Sequence, residues 1–191
     1  MKKHIFYGLI FLALEIMAII RNYISNYTNF LWFCDFAPLL FAVAFFLNHE
    51  QLKKALINIG LFAQIGYFII FFYNQGLFID ENVIGFGETL FYVISGLVVH
   101  TSSLLALSLS YKSKPKIESL LHSFFIIMIM YVAIINFTAP ENNINYIFSM
   151  NPEINLDIPN YSRFWAGIVF FVAVLPAYFL QYVLYKISKR T

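Results

Sequence analysis

Charge is what this chain has least of. Only 12% of its 191 residues are Asp, Glu, Lys or Arg, where soluble domains carry about 25%. That leaves too little polar surface to wrap a water-soluble globule, and it excludes a soluble enzyme. The formal net charge is only +2, so no basic face is available for nucleic acid. Disorder is excluded too, because a disordered chain needs low hydrophobicity and high net charge. Cysteine is nearly absent. A single Cys34 forms no internal disulfide and leaves no paired-cysteine metal pattern. Internal repeats, linkers and low-complexity tracts are missing as well, so residues 1–191 read as one domain.

What is present is apolar mass. Hydrophobic residues make up 61% of the chain, aromatics 20%, and Phe alone occurs 23 times. Spanning a hydrocarbon core takes roughly 17–25 apolar residues as helix, and six runs qualify: 5–20, 29–48, 55–73, 86–111, 117–137 and 164–187. The expected fold class is an all-α membrane protein, a bundle of six transmembrane helices with both termini cytoplasmic. The first run follows Met1-Lys2-Lys3 like a signal peptide. Glu15 interrupts it and no small-x-small cleavage site precedes Arg21, so it is expected to be retained.

The distribution of Lys and Arg supports the six-helix count, since cytoplasmic loops collect positive charge. An inside N-terminus places Lys2, Lys3, Lys53, Lys54, Lys112, Lys114, Lys116, Lys186, Lys189 and Arg190 on the inner side, and only Arg21 and Arg163 outside. An odd number of spans would spoil that pattern. Asp80, Glu81, Glu141, Glu153 and Asp157 make the outer face mildly acidic. The location this implies is a cell membrane, a bacterial inner or plasma membrane. The partners are the lipid bilayer and, at an intramembrane site, a lipid or amphiphile substrate; no sequence feature names a protein partner.

A charged side chain deep in lipid costs at least about 2.5–3.5 kcal/mol on insertion scales, so such residues face the bundle interior and mark candidate sites. They are Glu15, Cys34, Asp35, Gln64, Glu88, His100 and His122. The richest stretch is Asn29-Phe-Leu-Trp-Phe-Cys-Asp-Phe-Ala-Pro38. Pro38 has no N–H, so the carbonyl of Cys34 loses its helical partner and the helix bends there. Irregular backbone at membrane depth is tolerated where it is buried or lines a wet cavity. Trp32 reads as an interfacial belt residue.

Cys34 reads either as a small buried hydrophobe or as a nucleophile, which would need a base or cation nearby. His100 is that base, or else a histidine that hydrogen-bonds a neighbouring helix. Asp35 would tune the imidazole. Asn29 and Glu88 are candidate substrate contacts. Glu15 and Glu88 read as a paired acid site, or as two carboxylates that snorkel outward. In the last outer loop Asn143, Asn145 and Tyr146 stand over the cavity mouth. There they either satisfy their own turn or hydrogen-bond a lipid head group or oxyanion. The histidines are scattered and no two lie at i, i+4, so no metal or cofactor is expected.

Trp32-Phe-Cys-Asp35, His100, the inner loop through Lys112–Ile117 and Asn143-Ile-Asn-Tyr-Ile-Phe148 together resemble a family of uncharacterised bacterial integral membrane proteins. The likeness runs over roughly residues 29–185. More distantly the pattern is similar to the YwaF-like integral membrane proteins, whose eukaryotic relatives acylate ether phospholipids, and to the small androgen-regulated hydrolases of fatty-acid esters. That resemblance implies an intramembrane Cys34 nucleophile, a His100 base on another helix, and Asn143 or Asn145 near the head group. Where a His commonly precedes the Cys in the YwaF-like pattern, this chain has Trp32 and Phe33. Two function classes follow. One is a membrane-embedded acyltransferase or hydrolase built on Cys34, His100 and Asp35. The other is a non-enzymatic transporter, binding or scaffold subunit using Glu15, Asp35, Glu88 and His100.

Overall fold

The computed structural model describes residues 2–24, 32–73, 85–140, 143–149 and 159–190. Among these the regular structure is helical throughout: α1 (Lys3–Ile24), α2 (Phe33–Phe46), α3 (Glu50–Tyr73), α4 (Phe86–Val99), α5 (Ser102–Ser110), α6 (Ile117–Phe137), α7 (Tyr161–Val169) and α8 (Leu175–Ser188). A five-residue π-helical segment, Phe170–Val174, joins α7 to α8. Five stretches are long and apolar enough to cross a membrane: α1, α3, α4 with α5, α6, and α7 through α8. The second expected span is shorter, since α2 has only 14 residues.

α3 is the central post. Its residues Lys53 through Leu61 form an unbroken buried run, which only a helix surrounded on all sides produces. α2, α5, α6 and α8 pack on it, and α1 packs on α2 and α4. The outward surface is apolar: Phe125, Ile129 and Phe137 on α6 and Phe171, Val172 and Phe179 along the last span are all exposed, as a lipid-facing wall requires.

Polar side chains close the helix ends and breaks. Between α2 and α3, Asn48 takes a left-handed φ of 50°, the His49 N–H donates to Ala44 O and the Asn48 N–H to Phe45 O, both at 2.9 Å. This is the six-to-one and five-to-two pattern of a Schellman stop. The run 86–111, expected as one helix, breaks at His100–Thr101. There His100 Nδ1 donates to Gly96 O (2.7 Å) and Thr101 Oγ1 to Val98 O (2.6 Å). Both side chains compete for carbonyls that the helix would use. Gln64 of α3 then takes up the new helix start: its Nε2 donates to Ser102 Oγ (2.8 Å) and its Oε1 accepts the Ser103 N–H (2.8 Å). Near the other end of α5, the fully buried Lys54 donates from Nζ to Ser110 O (2.7 Å). In the last span Pro176 has no N–H for the preceding turn, and the π-helical segment just before it absorbs the mismatch.

Gln64→Leu keeps the side-chain volume but leaves the buried Ser103 N–H without an acceptor, at a cost of about 1–3 kcal/mol. The expected outcome is a Tm lowered by about 2–10 °C, read by thermal unfolding of the purified protein in detergent. An unchanged Tm would show that the α4–α5 break does not depend on Gln64.

Candidate functional site

The described residues enclose a cavity of about 640 Å³ at the end of the bundle where α1 and α3 finish and α2 and α7 begin. Its wall is mostly apolar and aromatic, including Trp32, Phe33, Tyr67, Phe71, Tyr92, Tyr161 and Trp165, with Arg21, Asn22, Cys34, Asp35, Gln64, His100, Asn145 and Tyr146 as the polar groups. An apolar pocket of this size with a few convergent polar groups is the usual form of a ligand site.

Cys34 and Asp35 sit in the first turn of α2, which begins late because residue 32 is still extended (φ −65°, ψ 127°). That start is closed from outside the helix: the Phe33 N–H donates to Asn145 Oδ1 at 2.9 Å. Five residues on, Pro38 breaks the backbone ladder, and the Leu39 N–H donates to Glu15 Oε2 of α1 at 3.1 Å. Glu15 is therefore a backbone acceptor at the proline break. It does not line the cavity.

Asp35 is ion-paired with Arg21 of α1, both side chains being nearly inaccessible. Asp35 and Arg21 line the cavity wall as this pair. The guanidinium also lies 5.9 Å from the Tyr92 ring centroid, within cation–π range. A Cβ at Gly96 would come 3.2 Å from the Tyr67 hydroxyl and 3.5 Å from Arg21 Nη1. The absent side chain at 96 lets α4 close on both.

His100 is 6% exposed and its ring stacks on Tyr67, with centroids 3.5 Å apart and planes 11° apart. A carbonyl only accepts, so the contact to Gly96 O assigns the ring proton to Nδ1. In the neutral ring Nε2 is then the basic nitrogen. Cys34 and His100 line the same cavity from α2 and from the α4–α5 break.

The remaining candidates separate. Glu88 is exposed in the first turn of α4 and is not part of the cavity wall, so Glu15 and Glu88 are not brought together there. Asn143 serves its own loop: Nδ2 donates to Ser149 O and Oγ, and Oδ1 accepts the Phe148 and Ser149 N–H groups. Asn145 reaches the cavity as a backbone acceptor, and its carbonyl also accepts the Trp165 indole N–H (2.9 Å). Tyr146 packs edge-on against Trp32, centroids 5.3 Å apart. Asn29 lies outside the described residues. Gln64 lines the wall while capping α5. His122 lies in α6, its ring edge-on to His49 at 5.4 Å. Among the described residues no group of three or more His, Cys, Asp or Glu is placed to hold a metal ion.

The sequence reading missed Arg21, Tyr67, Tyr92 and Trp165. A signal for Arg21 was there: an Arg near the end of one span and an Asp near the start of the next lie at the same depth in an antiparallel hairpin. No family model matches the chain, and neither a curated protein nor a solved structure does.

Removing one member of a buried pair strands the other charge, at about 3–5 kcal/mol, whereas replacing both by apolar groups is often neutral. Arg21→Met alone is therefore expected to destabilise the protein strongly, and Arg21→Met with Asp35→Leu to recover most of the loss. Thermal unfolding of the two variants in the same detergent checks this. A double variant as unstable as the single one would mean that the pair is not the origin of the loss.

Proposed function

We propose that this chain is a six-helix integral membrane protein of the cell membrane, with both termini cytoplasmic, that takes a lipid or other amphiphile into its cavity from the outer-leaflet side. Cys34 and His100 transfer or hydrolyse the acyl group. One observation carries the reading: the only thiol of the chain and a buried histidine with Nε2 as its basic nitrogen line a single apolar cavity. The ten-to-two distribution of basic residues supports the orientation, and the aromatic wall suits an alkyl chain. The resemblance to intramembrane acyl enzymes points the same way. Of the residues that the rival proton or solute pathway would use, Asp35 and His100 line the cavity and Glu15 and Glu88 do not.

The chemistry balances without a cofactor. Nε2 of His100 accepts the proton of the Cys34 thiol, and the thiolate attacks the acyl carbonyl carbon. A C–S bond forms as the ester C–O bond breaks, and the leaving alkoxide takes the proton back from Nε2. Water or an acceptor hydroxyl then gives its proton to Nε2 and attacks the thioester, returning the thiol. Water makes the protein a hydrolase, and a hydroxyl makes it a transferase.

A long-chain p-nitrophenyl ester offered to the protein in nanodiscs, with the thioester read by intact mass, tests this. The expected result is saturable acylation that is abolished in Cys34→Ala and slowed at least about tenfold in His100→Ala, as loss of a general base requires. Absence of acylation at Cys34, or an unchanged rate in His100→Ala, overturns the reading in favour of a transport, binding or scaffold role.

A further inference from the structure

Among the described residues, three of the five non-glycine positions with positive φ fall in the segment after α6. Asn143, Asn145 and Tyr146 all have positive φ, at 39°, 52° and 54°. Asn visits this region readily because its short side chain hydrogen-bonds locally. A bulky aromatic residue does so rarely, so Tyr146 is held there by its surroundings, and such outliers persist only where the surrounding structure over-determines them.

The restraints are visible. Ile144 and Ile147 are buried pegs at 1% and 0% exposure. Asn143 ties the turn to Phe148 and Ser149. Asn145 joins the segment to two helices, through its side-chain oxygen to the Phe33 N–H of α2 and through its carbonyl to the Trp165 indole of α7. Asn145 and Tyr146 belong to the cavity wall.

We propose that residues 143–149 are a lid over the cavity, latched by Asn145. Unlatching releases the Phe33 N–H, so opening the lid also loosens the helical turn that carries Cys34. The positive φ values belong to the closed form and are relieved on opening, which offsets part of the cost of exposing Ile144 and Ile147. The lid admits an amphiphile to the cavity whatever chemistry follows there, so it stands apart from the acyl-transfer reading.

Cys34 is the only cysteine and reports on opening without background. The experiment measures alkylation of Cys34 by N-ethylmaleimide in nanodiscs, followed by intact mass. The wild-type rate is expected to rise at least about fivefold in Asn145→Ala. It is expected to stay within about twofold in Asn145→Asp, whose side-chain oxygen still accepts the Phe33 N–H. A second reporter separates opening of the lid from unfolding: in a Cys34→Ala background, Ala106→Cys places the thiol at a fully buried position of α5. Adding Asn145→Ala leaves that reporter's rate unchanged if only the lid opens. Wild-type alkylation of Cys34 in Asn145→Ala, or equal acceleration at both reporters, overturns the proposal.

Discussion

Inside a bilayer no water is available to satisfy a backbone N–H, and this constraint organises the molecule. Helices that span without interruption meet it by themselves. This chain interrupts its helices in the interior, and at three of the interruptions a polar side chain from another element supplies the missing acceptor. Asn145 receives the Phe33 N–H at the start of α2, Glu15 the Leu39 N–H beyond Pro38, and Gln64 the Ser103 N–H at the start of α5. Lys54 provides the complementary service, donating to a carbonyl near the end of α5. Each bond fixes one element on another, so satisfying the backbone and assembling the bundle are one process.

The cavity follows from those interruptions. α2 begins late and has only 14 residues, and the break between α4 and α5 falls beside it. His100 and Gln64 border that break, and Cys34 and Asp35 lie in the shortened first turn of α2. Continuous helices in both places would have filled the space with side chains in regular rows. The broken ends instead face a common volume, and the chemistry-bearing residues sit on them because such residues are what breaks a helix or satisfies its ends. His100 illustrates the overlap: its contact to Gly96 O disturbs the helix and also sets which ring nitrogen is basic.

Much of this was legible in the residues. Length and apolar composition identified the runs, and Pro38 marked a bend whose neighbourhood became a cavity wall. Of the polar residues singled out, Glu15, Asp35, Gln64 and His100 are buried and Glu88 is exposed, but their type did not say what each would do. Glu15, Gln64 and Asn145 read as candidate site residues, and each accepts a backbone N–H. The reason is that a carboxylate or amide in lipid needs a donor and does not care whether the donor is a substrate or a main chain. Only tertiary placement distinguishes the two. Arg21 was ambiguous for a different reason: its position near the end of a hydrophobic run suits a loop charge as well as a buried partner for Asp35. The tight approach of Tyr67 to His100 had no local signal at all, because it depends on how α3 and the α4–α5 break are rotated against each other.

The Arg21–Asp35 pair is best understood as a register device. A desolvated ion pair contributes little net stability, since the cost of removing both charges from water roughly offsets their attraction. Its effect is to penalise every arrangement that separates the partners. α1 and α2 are antiparallel neighbours, with Phe11 stacked on Phe45 and tilted against Phe41, and with Phe46 seated closely over Gly8. A slide by one turn would set Phe46 against a position that carries a side chain, where Gly8 leaves room for its ring. A slide would strand a carboxylate in an apolar wall and also pull the Leu39 N–H away from Glu15. The two polar links therefore act together with the Gly8–Phe46 contact to fix one register, and that register is the one that holds the first turn of α2, with Cys34, at the cavity.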